Sequence, residues 1–455
     1  DSSIPNKITL LSTLEIKANI KITAPTATDG SILLAIERGN AIPSGVPLIS
    51  VNPTADSAAD PASPSIGPAA NQATTEVKIE NVTIDSRSNP ALTSDASGNI
   101  ANPGVAIQVK TTIANSETGD ATVTPTVVLV NTVIKNTVSE SGGAAINTPG
   151  NVRVESSTLV GNVAITPSGG APTDGGAIKA GGTVTVVSSA LNDNSATGNG
   201  GAISATTVIV TNAADLSNSQ LNGNTAGGSG GAIHASEDVS VTSNSLLTDN
   251  SATGSGGAVH AGGNVSVSDS TLTDNTATTG SGGAISATGA TSTVEIINSG
   301  LGNNTASGNG GAISASGTTG EVSVNNSSLG NNTASGDGGA IAAGGAVTVN
   351  SNSVLVFNSS TSGNGGAITA GGDVTIVNSG LSSNTASGNG GAISATGATS
   401  AVEVTNSGLA GNTAGGSGGA ISVTGATSAV EVTNSVLAFN TASTGNGGSI
   451  SSTGS

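Results

Sequence analysis

Several residue types are missing from this chain or nearly so. Its 455 residues include no cysteine, methionine, tryptophan or tyrosine, and only 2 phenylalanines. Without cysteine the chain forms no disulfide and offers no thiolate to a metal. With almost no aromatic side chains, a hydrophobic core has to be built from Val, Ile, Leu and Ala.

Positive charge is missing from most of the chain. All 10 lysines and arginines lie at or before Lys179, and the net charge is −18. Residues 180–455 therefore offer no basic patch to phosphate groups, which argues against nucleic acid and anionic membranes as partners. A run of about 18 apolar residues is also absent, so we expect no membrane-spanning segment.

What the chain has in abundance is a repeat. A Gly-Gly-small unit that closes on Ile or Val, as in GGAIS, recurs about every 27 residues over the second half of the chain. The closing residues are Ile178, Ile203, Ile233, Val259, Ile285, Ile313, Ile341, Ile368, Ile393, Ile421 and Ile450.

A second motif, Leu-x-x-Asn, recurs with the same period as the first. Between the two lies a short segment of alternating residues, such as AVEVTNS at 401–407. Alternation with a period of two, bounded by Gly, Asn and Ser, is typical of short β-strands. The asparagines of the second motif are Asn162, Asn194, Asn224, Asn250, Asn275, Asn304, Asn332, Asn358, Asn384, Asn412 and Asn440.

These patterns predict an all-β protein, a parallel β-helix with three short strands in each turn of about 27 residues. We assign residues 1–75 to a strand-rich N-terminal cap or assembly segment. We assign residues 76–455 to the β-helix, with regular repeats from about residue 140.

Stacked turns place equivalent residues in ladders along the axis, about 4.8 Å apart. We expect the Ile column and its flanking alanines to point inward, and the residue after each Ile to form a polar, solvent-facing column. The Gly pair permits a positive φ or a close backbone approach. We expect the motif asparagines to hydrogen-bond along their ladder and to occupy left-handed corners.

The combination of GGA[ILV] with x-x-Asn at this spacing resembles the passenger repeats of chlamydial polymorphic membrane proteins. That family pairs GGA[ILV] with Phe-x-x-Asn, whereas here Leu stands in the Phe position, as in LGNN at 301–304. The resemblance implies a right-handed β-helix at the cell surface or outside the cell, reached by export. We expect no aromatic-rich membrane barrel within these residues.

Few residues suggest chemistry. We predict no catalytic and no cofactor-binding residue, and therefore no enzyme. His234 and His260 share one outward column one turn apart, a spacing that suits a bridging metal; the alternative is two tolerated surface histidines. Glu403 and Glu431 share another column and would attract a cation such as Ca²⁺; the alternative is a pair of solvated surface carboxylates.

The function we predict is an extracellular structural protein that assembles head-to-tail with copies of itself into a fibre or surface layer. An uncapped β-helix end is a template for strand pairing, and the final repeat GNGGSIS keeps the register. The N-terminal segment would add its strands to a neighbour's open end. The alternative is a β-helical adhesin that binds a host or neighbouring cell; a more distant one is a glycan-active β-helix.

Overall fold

The computed structural model describes residues 126–214 and 216–453, the side chains of a few earlier residues, and the backbones of eight earlier strands. Within these residues every regular element is a β-strand. Most of the segment 1–75 lies outside the described residues, so its assignment as a cap stays a prediction.

The strands form four parallel sheets, which we name after the residue that each one buries most often. The Leu sheet has 15 strands. They are Lys7–Leu10, Leu34–Arg38, Val82–Asp85, Val133–Lys135, Thr158–Val160, Ala190–Asn192, Gln220–Asn222, Leu246–Thr248, Thr271–Thr273, Gly300–Gly302, Ser328–Gly330, Val354–Val356, Gly380–Ser382, Gly408–Ala410 and Val436–Ala438.

The Ala sheet has 12 strands of two residues each. They are Val138–Ser139, Val163–Ala164, Ser195–Ala196, Thr225–Ala226, Ser251–Ala252, Thr276–Ala277, Thr305–Ala306, Thr333–Ala334, Ser359–Ser360, Thr385–Ala386, Thr413–Ala414 and Thr441–Ala442.

The Ile sheet has 15 strands. They are Leu14–Ile16, Ile49–Val51, Ile107–Val109, Ile146–Thr148, Ile178–Ala180, Ile203–Ala205, Ile233–Ala235, Val259–Ala261, Ile285–Ala287, Ile313–Ala315, Ile341–Ala343, Ile368–Ala370, Ile393–Ala395, Ile421–Val423 and Ile450–Ser452.

The Val sheet has 14 strands. They are Lys21–Thr23, Glu76–Glu80, Thr126–Val130, Asn151–Glu155, Thr183–Val187, Thr207–Thr211, Val239–Val241, Val265–Ser268, Thr293–Ile297, Glu321–Asn325, Val347–Asn350, Val374–Val377, Ala401–Thr405 and Ala429–Thr433.

The chain visits the Leu, Ala, Ile and Val sheets in that order and then begins the next turn. About 12 turns of roughly 28 residues each stack as a parallel β-solenoid, which confirms the predicted fold class. The register follows the repeat: Ile203 pairs with Ile233, and Ile233 pairs with Val259. Each turn has four strands rather than the predicted three, because a two-residue Thr-Ala strand is too short to show any alternation in sequence.

The interior is a single column of aliphatic side chains. In the turn that begins at Gly300, this column consists of Leu301, Ala306, Ile313, Val322 and Val324, each no more than 1 % exposed. The alanines that flank Ile313, Ala312 and Ala315, are buried as predicted. Small and aliphatic residues suffice because a narrow solenoid has no room for aromatic rings.

The asparagines of Leu-x-x-Asn form a buried ladder, as predicted. The side-chain amide of Asn304 donates to Oδ1 of Asn332 at 3.0 Å, and the backbone N–H of Asn304 donates to the same oxygen at 3.0 Å. The Asn304 amide also donates to the carbonyl of Leu272 in the turn below. Each asparagine therefore ties together three successive turns at a corner where backbone groups would otherwise be unpaired.

The left-handed corner is one residue earlier than predicted. Asn303 has φ of 56°, and its equivalents Asp249 and Asp274 have φ of 56° and 59°. The ladder asparagine itself has to turn inward, so the residue before it makes the corner. Asn and Asp suit that place because their short polar side chains tolerate positive φ.

The two glycines of each pair have different structural roles. Gly310 has φ of 65°, which favours glycine, whereas Gly311 has no positive φ. A Cβ on Gly311 would lie 2.1 Å from the carbonyl oxygen of Gly339 in the next turn. The first glycine therefore provides the turn, and the second permits the close approach of two backbones.

A matched pair of alanine substitutions tests the buried ladder. We expect Asn332→Ala to destabilise the protein by about 3–5 kcal/mol, because it leaves the buried donors of Asn304 without an acceptor. Asn309→Ala is the control: its Oδ1 accepts from the backbone of Asp337 at an exposed corner, where water replaces it, so a loss below about 1 kcal/mol is expected. Urea unfolding measures both; equal losses would contradict the role of the buried ladder.

A second pair tests the close approach. Gly311→Ala is expected to cost several kcal/mol, because the backbones of adjacent turns must separate to admit the methyl group. Gly300→Ala, whose Cβ would meet nothing within 4 Å, is expected to be neutral or to stabilise by about 0.5 kcal/mol. Thermal unfolding of the two variants tests this prediction. Similar melting temperatures would show that the adjacent turns accommodate a methyl group at Gly311 at little energetic cost.

Candidate functional site

The outer face of the Ile sheet carries the residues after each Ile. We predicted a solvent-facing column, and this is only partly right. Ser286, Ser314, Ser394 and Ser422 are at most 3 % exposed, although their side chains leave the sheet on its outer side. Ser204, in the same column, is half-buried. The face is thus alternately covered and open along the rod.

Loop length accounts for the difference. In the four covered turns, a loop of five residues, such as 288–292, joins the Ile strand to the Val strand. The loop after Ile203–Ala205 has a single residue, Thr206. The covered stretches therefore coincide with the longer loops.

His234 and His260 lie in an open stretch of this face. Their strands Ile233–Ala235 and Val259–Ala261 pair in parallel with the two histidines directly opposite each other. The imidazole rings stack with centroids 5.1 Å apart and planes inclined by 11°. Both side chains are half-buried. Ser204 precedes the pair in the column and Ser286 follows it.

The surroundings hold both rings neutral. Burial lowers the pKa of His234, partly offset by the Asp174 carboxylate and by a hydrogen bond to its own backbone. Burial, with the neighbouring His234, lowers the pKa of His260 to about 4. The ring nitrogen Nδ1 of His260 is buried and has no hydrogen-bond partner. One ring nitrogen of His260 therefore has no protein partner, whether it carries a lone pair or a proton.

Sequence reasoning missed Asp174 and the ladder to which it belongs. Oδ1 of Asp174 accepts from the backbone of Asn199, and Oδ1 of Asn199 accepts from the backbone of Ser229. This ladder runs along the loops that precede the Gly pairs. Its signal was the polar residue before each Gly-Gly, which alternates among Asn, Ser and Asp and so resembled an ordinary loop.

Glu403 and Glu431 are paired in register in the Val sheet, as the sequence predicts. Both are exposed, and each accepts a hydrogen bond from the threonine two residues later, Thr405 or Thr433. Over the described residues, no group of three or more His, Asp or Glu is arranged to hold a metal ion. Ca²⁺ binding by this pair stays a prediction.

The two phenylalanines mark another surface. Phe357 and Phe439 occupy the left-handed position before the ladder asparagine, with φ of 57° and 55°. Phe357 is 59 % exposed, and Val354, in the strand that ends just before it, is 41 % exposed. A bulky residue in this conformation is unusual and carries strain.

Comparison with known proteins agrees with this geometry. The Chlamydia polymorphic membrane protein repeat matches residues 188–206, 218–236, 269–288 and 381–396. Four segments of the solenoid are therefore similar to this repeat. Three matches begin just before a strand of the Leu sheet and the fourth begins within one, and each continues through the ladder asparagine and the Gly pair to the Ile strand. No curated protein and no solved structure matches the chain.

The four matched segments, together with the β-solenoid fold, indicate a surface-exposed protein similar to an autotransporter passenger. The segment 218–236 includes His234, so the first histidine of the pair lies inside a matched repeat. Among the described residues there is no helix long and apolar enough to cross a membrane.

The histidine pair predicts a pH dependence of stability. The folded pKa values lie below the ordinary value of 6.5, so between pH 6.5 and about 4 the unfolded chain binds more protons than the folded chain. The stabilisation is therefore complete above pH 6.5 and is lost as pH falls toward 4. We expect the melting temperature to drop across this window.

The control is the double variant His234→Ser, His260→Ser, which copies the serine of neighbouring turns. The two proteins have the same carboxylates, so the difference between their melting curves isolates the histidines, which are the only 2 in the chain. A constant difference from pH 7 to pH 4 would show that the folded pKa values are not lowered.

Proposed function

We propose that this protein is a non-catalytic, extracellular structural rod whose copies associate end to end into a fibre or surface layer. The polymorphic-membrane-protein repeats support the surface location. The association itself rests on one observation: adjacent turns stack in register by parallel strand pairing, and a turn of another copy could pair in the same way.

The repeat itself makes the two faces of a turn complementary. Because the strands of all four sheets are parallel, a turn of one copy stacked in register on a turn of another would continue the sheets. Such a head-to-tail contact does not close on itself, and repeated contacts give a filament.

A second candidate, an adhesin, is favoured by the surface around Phe357. The exposed ring is held in a strained backbone conformation, and a depression of about 490 Å³ lined by Val354, Ser353 and Asn378 lies on the same side of the turn. Strain of this kind is concentrated at functional sites. In this function the rod presents the patch to a neighbouring or host cell.

Electron microscopy of the purified, refolded chain tests the proposal, with and without millimolar Ca²⁺. We expect filaments whose axial repeat is close to the length of one subunit. A requirement for Ca²⁺ would point to the carboxylate pair of Glu403 and Glu431. Monodisperse rods at high protein concentration would overturn end-to-end association and leave the adhesin as the better candidate.

A matched pair of lysine substitutions locates the contact. Leu437→Lys places a charge in the inward position that a further turn would bury, so we expect it to shorten or abolish filaments. Phe439→Lys changes an outward, 91 % exposed side chain of the same turn and should leave them intact. Circular dichroism confirms that both variants fold. Equal effects would exclude the turn at 429–453 as the contact.

A further inference from the structure

We propose that His234 and His260 form a binding site for a divalent transition-metal ion, with imidazole nitrogens of two successive turns as its protein ligands. The site is independent of end-to-end association, because both residues lie well inside the solenoid.

The geometry brings the two ligands close to bridging distance. The ring centroids are 5.1 Å apart and the planes are nearly parallel, inclined by 11°. A metal–imidazole bond is about 2.0–2.1 Å long and follows the in-plane lone pair, so one ion in front of two stacked rings holds their nitrogens about 3 Å apart. The nitrogen edges of the two half-buried rings therefore have to tilt toward each other by about 2 Å when an ion binds.

The backbone holds the two rings together before any ion binds. Ile233 pairs with Val259, His234 with His260 and Ala235 with Ala261, so the histidines cannot slip relative to each other. The flanking alanines Ala235 and Ala261 are fully buried, which fixes the side from which the rings project. A chelating pair on a rigid sheet loses little conformational entropy when it binds.

The donors are available and the coordination sphere is open. Nδ1 of His260 is buried without a hydrogen-bond partner, and such orphaned groups are rare in folded proteins. The pair is neutral at physiological pH, the state in which imidazole binds a metal. The loops after these strands, 236–238 and 262–264, are short, so water has access to the remaining coordination positions.

The chemistry of the donors selects the class of ion. Imidazole suits Cu²⁺, Ni²⁺ and Zn²⁺, and their affinities for one site peak at Cu²⁺. Ca²⁺ and Mg²⁺ prefer oxygen ligands, which a pair of imidazoles does not supply. The site is therefore expected to bind the transition metals and to ignore Ca²⁺.

Titration calorimetry with Ni²⁺ on the full chain tests the proposal. We expect one Ni²⁺ per chain, displaced by EDTA, and a rise in melting temperature when Ni²⁺ is bound. His234→Ser and His260→Ser, each made alone, should weaken binding by at least ten-fold, because the ion needs both rings. The serine is the natural residue of the column, so both variants are expected to fold; melting curves without metal check this.

Two further measurements separate this site from other binding. Glu431→Ser removes a carboxylate elsewhere and should leave Ni²⁺ affinity unchanged. Bound Cu²⁺ should show hyperfine coupling to two nitrogens in its electron paramagnetic resonance spectrum, and His260→Ser should remove that signal. Ni²⁺ binding that survives both single histidine variants, or that is weakened by Glu431→Ser instead, would overturn the proposal. Absence of binding at millimolar Ni²⁺ would overturn it as well.

Discussion

The rest of this structure depends on strict register between turns, and the buried asparagine ladder is the interaction that enforces it. Each ladder asparagine satisfies backbone groups of the turns above and below, at a corner from which water is excluded. A turn shifted by one residue would bury an amide without partners and would send the Ile column outward. The ladder therefore makes every shift of register costly, and equivalent residues stay stacked over about 12 turns.

Once register is fixed, the outside of the rod becomes a set of columns whose chemistry is set one residue at a time. The stacked histidines are a consequence: the same two residues on a sheet without fixed register would not face each other. The covered and open stretches of the outer face have a related origin, because a longer loop in one turn covers that turn and leaves its neighbours unaffected. Function on such a rod is thus local, while stability is shared among neighbouring turns.

Much of the fold was predictable because the same sequence motifs recur in every turn. The spacing of GGAIS and of Leu-x-x-Asn predicts the parallel solenoid, the inward Ile column and the Asn ladder, and the structure agrees. The two-residue Ala strands were not predictable, since two residues carry no periodicity. The corner at Asn303 was placed one residue late, because sequence does not reveal which of two adjacent asparagines turns inward.

For the outer face, the sequence by itself determined which residues share a column, including His234 with His260 and Glu403 with Glu431. Column membership follows from counting residues in a repeat of nearly constant length. Only the tertiary structure decided which members are exposed: Ser286 is covered, whereas His260 beside it is accessible. It also decided that the two rings stack and that Nδ1 of His260 lacks a partner. Burial and hydrogen bonding depend on loops and neighbouring turns that fold over a column, and a one-dimensional pattern does not contain that information.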